Sequence, residues 1–209
     1  MKLSHIILKV EQLDKAVQEY REKGFAVEYG RKKNPINALI YFSNGPYIEL
    51  LDGTRMPGAA KAAMRFFGKG VVIDRLQRLD DCAPGYCELA LENYETKLNS
   101  EIAILQRHGI KSCKVPSRRR ADTHGRDLRF RLAFPEALDI PFLMTYFSVD
   151  PKPVNFVHPN GIREVGKVVY GTDPSRFAVI RELCDDKRLE LAEGSGIRVE
   201  FIKSDKDSV

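Results

Sequence analysis

Leu-Ser-His-Ile-Ile-Leu-Lys-Val, at residues 3–10, predicts a buried opening strand, because most of its side chains are apolar. Successive side chains of a strand point to opposite faces, so Leu3, His5 and Ile7 are expected to share one face. The histidine is therefore expected to lie on a defined face of a sheet.

The same structural unit continues to residue 51. Apolar side chains at helical spacing from Leu13 to Tyr20 predict a helix, and Gly24 suits its left-handed C-cap. Turn residues rich in Pro, Asn and Gly then separate three short extended runs, which are residues 25–29, 38–42 and 47–51. The first fifty residues thus predict the order β-α-β-β-β.

This order recurs along the chain, and the recurrence predicts an α+β protein with an internal repeat. The predicted parts are a first βαβββ module (1–54), a connecting helical segment (55–83), a second βαβββ module (84–149), and a linker with a shortened third module (150–209). Together they are expected to form one compact unit.

Composition and length restrict the class of protein. The chain has 209 residues, with 34 Lys and Arg against 29 Asp and Glu, and a formal net charge of +5. No window approaches the roughly 18 consecutive apolar residues of a membrane span, and the N-terminus lacks the pattern of a signal peptide. A cytoplasmic protein with no membrane partner is therefore expected. The four cysteines match neither a redox pair nor a zinc site and are expected to be reduced.

Residues 111–126 are the most basic part of the chain and include Arg118, Arg119 and Arg120 in a row. The stretch has neither the aromatic pattern of an RNA-binding motif nor helix-turn-helix spacing, which disfavours nucleic acid as a partner. It is expected to be a loop between the second and third strands of the second module. Such a loop is either solvated or binds an anionic substrate through Arg118 and Arg120.

A βαβββ module repeated in one chain, with His in its first strand and Glu in its fourth, resembles the vicinal oxygen chelate superfamily. Glyoxalase I, extradiol dioxygenases and bleomycin-resistance proteins belong to it. Residues 3–10, 13–17 and 46–51 carry the resemblance, and residues 157–162 look like its glyoxalase-like branch. The resemblance implies curved mixed sheets around an open cleft, with the helices packed outside.

In this superfamily, the first and fourth strands of each half hold a divalent metal ion. The matching positions here are His5, Glu49 and Glu200, whereas those of the second module fall near Cys87 and Met144 and offer no comparable ligands. The set of three would suit Zn²⁺, Ni²⁺, Mn²⁺ or Fe²⁺ and is one ligand short of the family pattern. A protein without metal is an equally defensible expectation.

Glu49 and Glu200 occupy repeat-equivalent positions in apolar strands, where an unpaired buried carboxylate would be costly. Both join His5 in one polar cleft if the first and third modules pair, but Glu200 lies outside if the first and second modules pair. His158 is a spare imidazole, which either swings in as a ligand or anchors a loop, since turn residues follow it.

Two functions of different classes follow from the resemblance. One is a divalent-metal-dependent lyase or isomerase, acting on a small vicinal-oxygen substrate with Glu200 or Glu49 as catalytic base. The alternative is a metal-free binding or resistance protein that sequesters a small anionic or aromatic molecule. Tyr47 is expected either in the substrate-binding wall of the cleft or in the core. A homodimer with exchanged modules would also fit the family.

Overall fold

The computed structural model describes residues 1–204. The strands and helices are, in chain order, β1 (Lys2–Lys9), α1 (Leu13–Glu22), β2 (Glu28–Tyr29), β3 (Asn37–Ile40), β4 (Tyr47–Leu51), α2 (Gly58–Phe66), α3 (Gly70–Asp81), β5 (Gly85–Asn93), α4 (Asn99–Arg107), β6 (Ser112–Ala121), β7 (Asp127–Pro135), β8 (Phe142–Thr145), β9 (Ile162–Thr172), α5 (Phe177–Leu183), β10 (Leu189–Glu193) and β11 (Ile197–Lys203).

The first two modules share one eight-stranded sheet, with the strand order β2-β3-β4-β1-β5-β8-β7-β6. At its centre β1 runs antiparallel to β5, and each of these strands pairs in parallel with the last strand of its own module, β4 or β8. The sheet curls into a half-barrel. The predicted α+β fold of repeated modules in a curved mixed sheet is therefore confirmed.

The third module forms a separate three-stranded sheet, in which β9 pairs with β10 on one side and β11 on the other. The strands of the first module thus pair with those of the second, whereas an isolated bridge between Asn44 and Glu164 joins the first module to the third. Glu200 lies on β11 opposite Lys167, and its side chain is exposed. The predicted convergence of Glu200 with His5 and Glu49 does not occur, because Glu200 belongs to the other sheet.

Apolar side chains cover both faces of the large sheet. Helices α1, α4 and α5 and strand β9 pack in one cluster on the convex face. On the concave face, Val72 and Leu79 of α3 pack against side chains of the strands. The connecting segment thus forms two helices, and α3 lies over the concave face, where it narrows the open cleft expected from the sequence.

A β-bulge in β1 decides which side chains reach the concave face. Leu3 pairs with Leu91 and His5 with Ala90, so that Ser4 is the extra residue between them. Leu3 packs in the convex-face cluster, whereas Ile7 packs in the concave one. The expectation that Leu3 shares a face with His5 and Ile7 is wrong, because strict alternation fails at the bulge.

The predicted loop at residues 111–126 is also wrong, because most of it extends β6. Arg118 pairs with Phe130 and Arg120 with Leu128 on β7. Directly paired residues of an antiparallel ladder share a face, and the side chains of Phe130 and Leu128 belong to the concave cluster. Both arginines are therefore carried by a strand on the concave side.

No helix within residues 1–204 is long and apolar enough to cross a membrane. The four cysteines are free thiols.

Candidate functional site

The concave face contains a cleft of about 410 Å³ between α3 and the strands. This volume lies in the range of small-molecule sites. Most of its lining is apolar, and the aromatic part consists of the rings of Phe130, Phe134, Phe142 and Phe147 with Tyr47. A small set of polar side chains completes it, chiefly His5, Asn37, Glu49, Arg118 and Arg120.

His5 lies at the floor of the cleft and is 5% exposed. Its Nε2 is 3.5 Å from Glu49 Oε2, its Nδ1 is 3.1 Å from Ser4 Oγ, and its ring stacks on Tyr47 with 4.7 Å between centroids. Burial, together with the positive charges of Arg120 and Lys152, lowers the pKa of His5 to about 3. The imidazole is therefore neutral at physiological pH.

Glu49 extends from the centre of β4 toward the same place, as the sequence predicted for a cleft carboxylate. The Asn37 side-chain amide donates a 2.8 Å hydrogen bond to Glu49 Oε1. Burial raises the pKa of Glu49, although Asn37 and Arg120 act in the opposite direction. Asn37 escaped the sequence analysis because it stands just outside the predicted strand at 38–42, where nothing in the local pattern distinguishes it from a turn residue.

Arg120 is the positive group of this polar cluster. Its Nη1 donates to the Gly30 carbonyl oxygen at 2.6 Å and its Nη2 to the Tyr41 hydroxyl at 3.1 Å. The guanidinium also lies over the Phe147 ring, with 5.6 Å from Cζ to the centroid. Within residues 1–204 its hydrogen-bond partners are uncharged, so the cleft keeps a positive charge at this place.

Arg75 holds α3 in place over the cleft. It was not identified as a functional residue from the sequence. The side chain is fully buried, and its Nη1 donates to Glu88 Oε2 at 2.8 Å. Its Nη2 donates to the carbonyl oxygens of Pro135, Ala137 and Ile140 at 3.0–3.3 Å. One guanidinium thus ties α3 to β5 and to the β7–β8 connection. In the sequence, Arg75 looks like any solvated helical arginine.

The residues present do not fit the metal centre that the resemblance implies. Within residues 1–204, no three His, Cys, Asp or Glu side chains are grouped so as to hold a metal ion. His5 and Glu49 stand alone, since the second module presents Ala90, Phe142 and Met144 to the concave face. The positive charges of Arg120 and Lys152, which depress the pKa of His5, would also repel a divalent cation.

His158 anchors a loop on the convex side and is not a cleft residue. It is 2% exposed, and its Nδ1 accepts a 3.0 Å hydrogen bond from the Ala26 backbone N–H. Its ring meets those of Phe25, Phe42 and Phe156 edge-on. Of the two roles considered for this imidazole, the structure shows the anchoring one.

Two βαβββ modules paired through their first strands, with His and Glu from the first and fourth strands in the cleft, define a protein of the vicinal oxygen chelate type. The model of the glyoxalase-like domain family matches residues 3–182, and the chain belongs to this family. No curated protein matches the chain by sequence.

Three solved structures resemble the chain, and the first of them, with the highest TM-score of the three, supports the fold. A hypothetical protein from Staphylococcus aureus is 15% identical with a TM-score of 0.62, over 92% of this chain and 86% of that one. A glyoxalase I variant from Zea mays is 13% identical with a TM-score of 0.40, over 88% of this chain and 56% of that one. A second glyoxalase I variant from Zea mays has 12% identity and the same TM-score, over 88% and 55% of the two chains.

Proposed function

We propose that the protein binds a small aromatic carboxylate in the concave cleft and does so without a resident metal ion. The observation that carries the proposal is Arg120, a guanidinium with uncharged hydrogen-bond partners at the wall of a cleft lined by phenylalanines. This is the metal-free alternative expected from the sequence, with Arg120 proposed as the residue that binds the anion.

The shape and chemistry of the walls favour an aromatic ligand. The rings of Phe134 and Phe142 lie 5.4 Å apart at a tilt, and those of Phe130 and Phe147 meet edge-on with 5.3 Å between centroids. Ring edges and ring faces therefore border the cleft. An aromatic ring of the ligand gains favourable contacts with both. A cleft of about 410 Å³ accommodates a ligand of one or two rings.

The polar groups favour a carboxylate on that ligand. A guanidinium can bind a carboxylate through two parallel hydrogen bonds, and such pairs are strong where water is scarce. Arg118, which also lines the cleft, adds a second positive charge nearer its mouth. Neutral His5 adds no charge to the lining.

A second candidate is proton transfer on the bound molecule, which retains the isomerase or lyase function expected from the sequence. The observation in its favour is the contact between Glu49 and His5, because a carboxyl group whose pKa is raised by burial suits a general base. In that case Glu49→Gln would abolish turnover of a bound carboxylate and leave its binding intact.

The proposal is tested by calorimetry on metal-stripped protein kept in chelator. Benzoate, phenylacetate and naphthoate are expected to bind, and the matching uncharged amides to bind at least about tenfold more weakly, because they lack the charge-assisted contact. Equal affinity for amides and carboxylates would contradict the anion site. Binding that appears only after a divalent metal is added would contradict the metal-free cleft.

A further inference from the structure

A second pocket, of about 300 Å³, lies at the seam between the large sheet and the third module. Its walls come from the start of β1, the turn before β4, the end of β5, the linker and the region around β9 and β10. Its lining includes the charged and aromatic side chains of Lys2, Glu92, Tyr94, Lys152, Glu164 and Arg188. We call it the seam pocket, and none of these side chains lines the concave cleft.

Glu92 is the unusual residue of the seam pocket. It is 1% exposed, and its Oε2 is buried with no hydrogen-bond donor within reach among the described residues. A buried carboxylate oxygen without a donor costs free energy comparable to a lost charged hydrogen bond. Burial also raises the pKa of Glu92, although Lys152 opposes the shift. The nearby Ser4 and Tyr94 hydroxyls also oppose the rise in the pKa of Glu92. Its Oε2 nevertheless has no partner within hydrogen-bond distance among the described residues, so the pocket offers an acceptor there.

Lys152 is the buried cation next to Glu92. Its Nζ donates to the Gly45 carbonyl oxygen at 2.9 Å and lies 3.9 Å from Glu92 Oε1, too far for a hydrogen bond. The side chain is only 9% exposed, and an ammonium group has three donors. A buried cation and a buried anion thus stand side by side, and each keeps hydrogen-bonding capacity unused within the described chain.

The other ionisable groups of the pocket balance in charge. Arg188 pairs with Glu164 at 3.2 Å and with Asp186 at 3.4 Å, and Lys2 pairs with Asp185 at 3.0 Å. A lining that mixes both signs disfavours a ligand with a large net charge of either sign. It favours a molecule that carries both charges a short distance apart.

We propose that the seam pocket binds a small zwitterion of the α-amino-acid class, whose ammonium group donates to Glu92 and whose carboxylate accepts from Lys152. Both charges of such a molecule lie within a few bonds of each other, as the neighbouring Glu92 and Lys152 require. The exposed Tyr94 ring at the rim provides a surface for a short side chain. The lining of the seam pocket is separate from that of the concave cleft, although the charge of Lys152 also acts on His5.

The test is calorimetric titration of the full chain with single α-amino acids, up to about 10 mM, with acetate and methylammonium as singly charged probes. At least one amino acid is expected to bind saturably, and both singly charged probes at least about tenfold more weakly. Glu92→Gln is expected to reduce affinity at least about tenfold. The control is Glu190→Gln, since Glu190 is an exposed strand residue paired with Lys167 outside the pocket.

Thermal unfolding shows whether Glu92→Gln is folded, and Lys152→Gln repeats the test from the other charge if it is not. Shifts of the Gly45 amide in NMR spectra of the wild type place the bound molecule in the seam pocket. The proposal is overturned by the absence of saturable binding, by acetate or methylammonium binding as tightly as the amino acid, or by Glu92→Gln binding like Glu190→Gln.

Discussion

Replacing Glu88 by alanine is expected to lower the free energy of unfolding by about 3–5 kcal/mol, because it leaves the Arg75 guanidinium buried without its anion. Neither side chain is exposed, and their contact is 2.8 Å between Nη1 and Oε2. The three backbone carbonyls that accept from Arg75 satisfy part of its hydrogen-bonding capacity but supply no full negative charge. Urea denaturation followed by circular dichroism measures the change.

Two further variants separate this effect from a general loss of packing. The double change Arg75→Met with Glu88→Leu removes both charges together and is expected to recover most of the lost stability. Glu182→Ala removes an exposed carboxylate that contacts Arg107 and His108, and it is expected to change stability little. A Glu88→Ala protein as stable as the Glu182→Ala protein would show that the buried pair does not hold α3 in place.

Replacing Arg120 by methionine is expected to weaken binding of aromatic carboxylates by about 10- to 100-fold, since it removes the charge-assisted contact and keeps much of the apolar stem. Loss of this positive charge should also raise the pKa of Glu49 further, because Arg120 is one of the groups that lower it. The lost charge-assisted contact is the change that disfavours a bound anion near physiological pH. Calorimetry with the tightest-binding carboxylate measures the loss.

The matched control is Arg129→Met. Arg129 lies on neighbouring β7, is exposed, and pairs with Asp127 away from the cleft. Its replacement is expected to leave the affinity within about twofold of the wild type. If both variants bind as tightly as the wild type, or if both lose affinity equally, Arg120 does not bind the ligand and the proposed orientation fails.

The local order of elements could be predicted from the sequence, because it follows from side-chain periodicity and turn residues. Short apolar runs predict β1 and β4, and a helical stripe followed by Gly24 predicts α1. His5 and Glu49 were predicted for the cleft, and Tyr47 for either its wall or the core, from their positions on those strands and from the family resemblance. The structure brings the three side chains together.

The pairing of modules could not be predicted, because it depends on which strand edges meet in three dimensions. Glu200 repeats the sequence context of Glu49, yet β11 pairs with β9 in the second sheet and carries Glu200 away. The sequence likewise did not predict a strand at Arg118 and Arg120, because a run of charged residues is more typical of a solvated loop. Their register opposite Phe130 and Leu128 stabilises an arginine-rich strand that local propensity alone does not favour.

Elemental analysis and calorimetry of metal-stripped protein titrated with Zn²⁺, Ni²⁺, Mn²⁺ and Fe²⁺ test whether the cleft works without a resident metal. We expect no stoichiometric binding at about millimolar metal, because His5 and Glu49 are two ligands beside two cationic side chains. Stoichiometric binding by the wild type that is lost in both His5→Ala and Glu49→Gln would contradict this account and restore a metal centre to the cleft.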